Sequence, residues 1–101
     1  MNIREIQAAI ARRNYTPHWT MSQWGCALAG EVGEACNIIK KIDRGDFVND
    51  LVHGRQLLAG ELSDVLAYLC LTADAYGIDL DDAYKEKFNE VSKRIDSDIM
   101  L

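Results

Sequence analysis

The residues with the clearest chemical potential lie in two copies of one stretch. Leu28 to Ala35 reads LAGEVGEA, and thirty residues later Leu58 to Val65 reads LAGELSDV. Each copy places two acids three positions apart, Glu31 with Glu34 and Glu61 with Asp64. On a helix, residues three apart share a face. Carboxylates on an otherwise apolar face are costly to bury unpaired. Two such helices side by side would gather four carboxylates, an arrangement that repels itself unless cations neutralise it. Oxygen ligands with no His or Cys among them suit Mg²⁺, with Mn²⁺ as the alternative. Gly30 and Gly60 precede the first acid of each pair, and a mid-helix glycine costs about 1 kcal/mol against alanine. Close approach of the two helices is the expected reason for them.

Taken alone, an E-x-x-E on a helix is usually a solvated face. The duplication, the matched glycines and the apolar surroundings favour a metal site instead. Base recognition would need aromatic surface, and Tyr15, Trp19, Trp24 and Tyr68 are the candidates. Tyr68 follows Asp64 by one turn on the acidic stripe, whereas packing is an equally good use for Trp19 and Trp24. His18 and His53 have no ligand partner nearby in sequence and read as surface or loop histidines.

Composition narrows the classes. A chain of 101 residues forms one domain, residues 1–101, and with so small a core it would gain from oligomerisation. The formal net charge of -5, with no basic block, argues against a nucleic-acid partner. Mononucleotides stay open, because metals can neutralise their phosphates. Three cysteines without C-x-x-C spacing argue against a disulfide scaffold or zinc site and for buried, reduced thiols in a cytoplasmic protein. The N-terminus has no apolar signal segment, and the longest wholly apolar run, Val65 to Leu71, is too short to span a membrane.

The elements that must position the acids read as helices throughout. Ile3, Ile6 and Ile10 give an amphipathic helix over 2–13, broken around Pro17. Thr20 with Gln23 fits a capping box that starts a long helix reaching about Ile42, with Lys40 and Lys41 in its last turns. Gly45 is its expected stop, and Asp43 to Gly54 reads as a polar connection. A third helix runs from about Arg55 to Tyr76, with Leu58, Leu62, Val65, Leu66, Leu69 and Ala73 as its core stripe and Gly77 as its end. Asp79 caps a fourth helix that reaches about Ile95. No strand pattern rises above noise. The expected class is all-α, a four-helix bundle.

With the acidic pairs and their flanks in view, the chain resembles the MazG-type nucleotide pyrophosphohydrolases, the all-α NTP pyrophosphatase superfamily. Their signature is E-x-x-E, a spacer, then E-x-x-D, matched here by Glu31 with Glu34 and Glu61 with Asp64. The likeness extends over residues 19–101, through WGCALAGEVGEACNIIKK, ELSDVLAYLCLTADAYGIDLDDA and KFNEVSKRI, toward small single-domain members of bacteria and phages.

The resemblance implies Mg²⁺ held by Glu31, Glu34, Glu61 and Asp64, hydrolysis of a (d)NTP to a (d)NMP and pyrophosphate, and a bundle completed by a homodimer or homotetramer. It implies phosphate contacts from Lys87, Asn89, Lys93 and Arg94. By helical spacing, Lys87 and Arg94 share one face and Asn89 and Lys93 another. Glu34 and Glu61 are the expected catalytic acids, with Glu34 accepting the water proton. A purine preference, dGTP or GTP, follows only from likeness to the phage members. Two rivals remain: a pyrophosphohydrolase for phosphoribosyl-ATP or a modified nucleotide, and a non-catalytic helical module with a vestigial acidic cluster. The setting implied is the cytoplasm of a bacterium or a phage-infected host.

Overall fold

A computed structural model describes residues 1–13 and 19–101. Four helices account for its regular structure: α1 (Ile3–Arg13), α2 (Met21–Asp43), α3 (Leu51–Ala75) and α4 (Leu80–Arg94). Tyr15 and His18 fall outside the described residues. The all-α expectation holds.

The helix ends follow from local chemistry. Thr20 closes the capping box on α2: its hydroxyl accepts from Gln23 N at 3.2 Å, and Gln23 Oε1 accepts from Thr20 N at 2.8 Å. Asp50 caps α3 by accepting from His53 N, and Asp79 caps α4 by accepting from Asp81 N and Asp82 N. At the far end of α3, Ile78 N donates to Ala73 O at 2.8 Å and Gly77 N to Asp74 O at 3.0 Å. Gly77, at φ 69°, supplies the left-handed residue this Schellman closure needs. Asp96 does the same after α4, at φ 57°, and turns the last residues back along that helix. Asn89 holds them there, its side chain donating to Leu101 O and accepting from Leu101 N.

α3 starts at Leu51 rather than near Arg55. Gly54, expected to close the preceding connection, is instead a buried residue in the first turn of the helix. The ring of Phe47 folds over it so closely that a Cβ there would lie 2.9 Å from Phe47 Cγ and 3.0 Å from Phe47 Cβ. Phe47 is tied to a short turn, so it can retreat only by moving backbone. Gly54→Ala should therefore cost about 1–3 kcal/mol, the usual range for overpacking, despite alanine's better helix propensity. A urea titration would read this as a lower midpoint; an unchanged or raised midpoint would mean the Phe47 turn yields freely.

α2 packs along α3, and α1 crosses α3 and touches α4. The core is Ile10, Trp24, Cys70 and Leu71, with Ile6, Trp19, Ala67, Tyr68 and Leu80 packed around it. Arg4 ties α1 to the start of α4, with Nε 2.8 Å from Asp79 and Nη2 2.8 Å from Asp82. Gln7 reinforces this corner by donating to Ile78 O and accepting from Leu80 N.

Three expectations about packing need correction. Half of the stripe assigned to the core of α3 is on the surface: Leu62 is 51% exposed, Leu69 40% and Leu66 37%, whereas Leu58 and Val65 are half-buried and Ala73 is buried. The buried residues of α3 are Gly54, Cys70, Leu71 and Ala73. α1 and α2 pack against α3 and leave part of its circumference uncovered. Second, a Cβ at Gly30 or Gly60 would meet nothing within 4 Å, so neither glycine is there to let α2 approach α3. The thiols also divide: Cys70 is buried, but Cys26 and Cys36 are exposed. The radius of gyration is 16.5 Å, against about 13 Å for a compact domain of this length.

Candidate active site

The α2–α3 contact joins the two acidic stretches. Glu31 and Glu34 project from α2 and Glu61 from α3, and each offers a carboxylate oxygen within 4.8 Å of the other two. Asp64 is more exposed and stands outside this triple, yet its charge acts on both Glu31 and Glu61. On both helices the two acids lie three positions apart, about one helical turn. The sequence duplication thus becomes a spatial one.

Two oxygens here are anomalous. Glu31 Oε2 and Glu61 Oε2 are shut off from solvent without a hydrogen-bond partner. A buried, unpartnered carboxylate oxygen is costly, and native structures rarely tolerate one unless something else satisfies it. Burial is the main reason the Glu31 carboxyl is pushed above its usual range, followed by the charges of Glu34 and Asp64. Glu61 is pushed up by burial, then by its contact with Glu34 and that group's charge. Every charge that acts on Glu31 and Glu61 is acidic. A cluster of hard oxygen donors with two orphaned atoms, and no basic side chain paired with it among the described residues, fits a divalent metal ion. Glu31, Glu34 and Glu61 are the residues that would hold it, with Asp64 at the margin.

The remaining site expectations fare unevenly. Trp24 is only 5% exposed and belongs to the core, with the ring of Trp19 packed against it at 4.7 Å and tilted by 55°. The Trp24 ring is thus committed to packing and is not available to a base. Tyr68 is half-buried against the same core. Asn89 spends its amide on the main chain of Leu101. Lys87 pairs with Glu90 at 3.2 Å on the surface of α4, and Lys93 and Arg94 are exposed in its last turn. None of Lys87, Asn89, Lys93 and Arg94 makes an ion pair or hydrogen bond with the four acids.

Sequence reasoning missed the apolar rim of the site. Val32 and Leu62, which follow Glu31 and Glu61 in sequence, and Leu66, two residues after Asp64, are exposed; Leu62 and Leu66 were read as core and Val32 was left unassigned. A signal was present: Leu62 adjoins Glu61 in sequence, and a helix face cannot be both wholly buried and one residue from a solvent-reaching acid without a second surface to cover it.

Among the described residues, no helix is long and apolar enough to cross a membrane. Neither the curated proteins nor the solved structures gave a match. Residues 20–96, well over half of the chain and including both acidic stretches, match the MazG nucleotide pyrophosphohydrolase domain, and the chain belongs to that family.

Proposed function

We propose that this chain hydrolyses a nucleoside triphosphate, ribo or deoxy, to the monophosphate and pyrophosphate with Mg²⁺ as its metal. The observation that carries this reading is the triple of Glu31, Glu34 and Glu61, with two buried oxygens that lack any partner. All donors are carboxylates, which favours Mg²⁺, or Mn²⁺, over softer ions. When bound, the metal supplies neutralisation of the phosphates, Lewis acidity and activation of water.

The chain's own residues do the rest. Glu31 and Glu61 turn their sheltered oxygens inward and fix the polar floor of the site. Glu34 is exposed, touches both of them, and is the group that can reach a water molecule from solvent. It is assigned the proton from the attacking water. Asp64 extends the anionic field toward the surface. Trp19 and Tyr68, each half-buried, are the aromatic surfaces within the described residues left to meet a base. A purine is the preferred substrate in this reading. The working form is a homodimer or homotetramer, supported by the open shape and the exposed apolar side chains of α2 and α3.

The test is a screen of the eight common NTPs and dNTPs for pyrophosphate release, followed by hydrolysis of the best substrate in ¹⁸O-water. Attack at the α-phosphorus puts the label in the monophosphate. Label in pyrophosphate would move the attack to the β-phosphorus, and no release from any of the eight would remove this reading.

A further inference from the structure

The groove between α2 and α3 has two unlike ends. Residues 44–50 are a short connection between two long helices that pack along each other, so α2 and α3 run antiparallel. On α3, Tyr68 shares the face of Glu61, two turns further along. On α2, Glu34, Asn37 and Lys41 follow at spacings of three and four, which sets Lys41 two turns past Glu34 on the same face. Because the helices are antiparallel, these two steps lead in opposite directions. The acids therefore stand between an aromatic end, where Trp19 and Tyr68 pack on the core, and a cationic end at Lys41. Lys41 is half-buried, whereas its neighbour Lys40, turned away from the acids, is exposed. Side chains on a helix lean toward its N-terminus, so the stem of Lys41 runs back toward Glu34 over a separation of about 10 Å along the axis. Its charge is felt by Asp46, but that carboxylate is already held by Arg44 at 2.7 Å. The Lys41 ammonium has no hydrogen bond or ion pair among the described residues. Arg55 on α3 stands six positions before Glu61, on another side of that helix.

We propose that Lys41 binds the pyrophosphate end of the substrate, which lies along the groove with its base at Trp19 and Tyr68 and its α-phosphate over Glu31, Glu34 and Glu61; this rests on the pyrophosphohydrolase reading. As the oxygen of water bonds to the α-phosphorus, the bond from that phosphorus to the oxygen bridging it to the β-phosphorus breaks. The water proton passes to Glu34, and pyrophosphate departs with the bond's electron pair. Lys41 transfers no proton. Its fixed positive charge compensates the negative charge that the leaving group gains. A cation at one end only also sets the direction of the substrate. The reversed pose would place the phosphates at the aromatic end and leave an unpaired ammonium beside the base.

The first measurement needs neither turnover nor a variant. Wild-type protein with Mg²⁺ is treated with an amine-acetylating reagent, and peptide mass spectrometry reads the rate at each lysine. Saturating pyrophosphate should slow acetylation of Lys41 by about threefold or more and leave Lys40 unchanged. The nucleoside monophosphate should slow neither. The second measurement uses turnover of the best nucleotide. Lys41→Gln should weaken product inhibition by pyrophosphate by about tenfold, the usual worth of a hydrogen bond to a charged group. Inhibition by the monophosphate should stay as it was, a split that a merely structural loss would not produce. Lys40→Gln should change neither inhibition. Equal acetylation of Lys41 with and without pyrophosphate, protection by the monophosphate alone, or a Lys41→Gln protein in which both inhibitions weaken alike would overturn the proposal. A wild-type chain that releases no pyrophosphate from any nucleotide would remove the pyrophosphohydrolase reading, and the acetylation of Lys41 would then decide the pyrophosphate subsite alone.

Discussion

Glu61→Gln abolishes most of the activity, by orders of magnitude, while leaving the metal-free protein at least as stable as before. The two halves of this expectation have one cause. Glu61 is pressed against Glu34 and partly desolvated, so in the absence of metal its charge is a burden on the folded state. Glutamine keeps the shape, removes that charge and relieves Glu31 and Glu34 as well. It also takes away a strong ligand from a site proposed to hold metal and triphosphate together, and a lost charged ligand is not replaced by a neutral amide. Thermal melting with a chelator present, melting with saturating Mg²⁺, and turnover of the best nucleotide make the measurement. The expected pattern is an equal or higher midpoint without metal, a smaller magnesium-induced rise, and collapsed turnover. A variant that fails to fold would make Glu61 a structural partner. One with full turnover and an intact magnesium shift would make the acidic face an ordinary solvated surface.

The acid cluster proposed as the site was legible in the sequence because its information is local. The i, i+3 spacing of Glu31 with Glu34 and of Glu61 with Asp64 fixes which acids share a face before any tertiary contact is known. Thr20, Asp79 and Gly77 likewise act within a few residues of themselves, and each does in the structure what its type and position predict. The expectations that failed were those that needed a partner surface. Leu62, Leu66 and Leu69 have the spacing of a core stripe, and periodicity reports an apolar face without naming what covers it. Gly30 and Gly60 were matched to the nearest helix, yet both open onto empty space. The start of α3 was misplaced because Gly54 was read as a breaker. It is required by the approach of Phe47, seven positions earlier, which no propensity scale contains. Trp24 could be a core residue or a base platform on sequence grounds, and only its contacts with Ile10, Cys70 and Leu71 decide.

Magnesium should reverse the pH dependence of stability. In the metal-free protein, Glu31 and Glu61 hold their protons to higher pH than the ordinary value of 4.5, for burial and for the acids around them. Above 4.5 the unfolded chain has released protons that the folded chain still binds. Stability therefore falls as pH rises through that window, and levels off once both groups are ionised in the folded state. Asp46 and Asp79 act in the opposite sense. Arg44 and Arg4 hold them below their ordinary 3.8, so the stability they contribute is lost as pH falls through and below that value. The metal-free optimum then lies on the weakly acidic side. A divalent cation binds the ionised carboxylates of the folded site, with little affinity for the unfolded chain. At a hundredfold excess over Kd it adds about 2.7 kcal/mol. Because it competes with protons, the gain grows with pH, and the decline above the carboxylate range should vanish. Urea midpoints at about pH 5 and about pH 8, each with chelator and with Mg²⁺, give the four values needed. The chelated protein should be less stable at the higher pH and the magnesium-loaded protein no less stable there. Glu61→Gln should flatten the chelated curve by removing one of the two raised carboxyls. If the chelated protein is equally stable at both values, the acids are relaxed and solvated, and the buried oxygens of Glu31 and Glu61 are satisfied by some group within the chain.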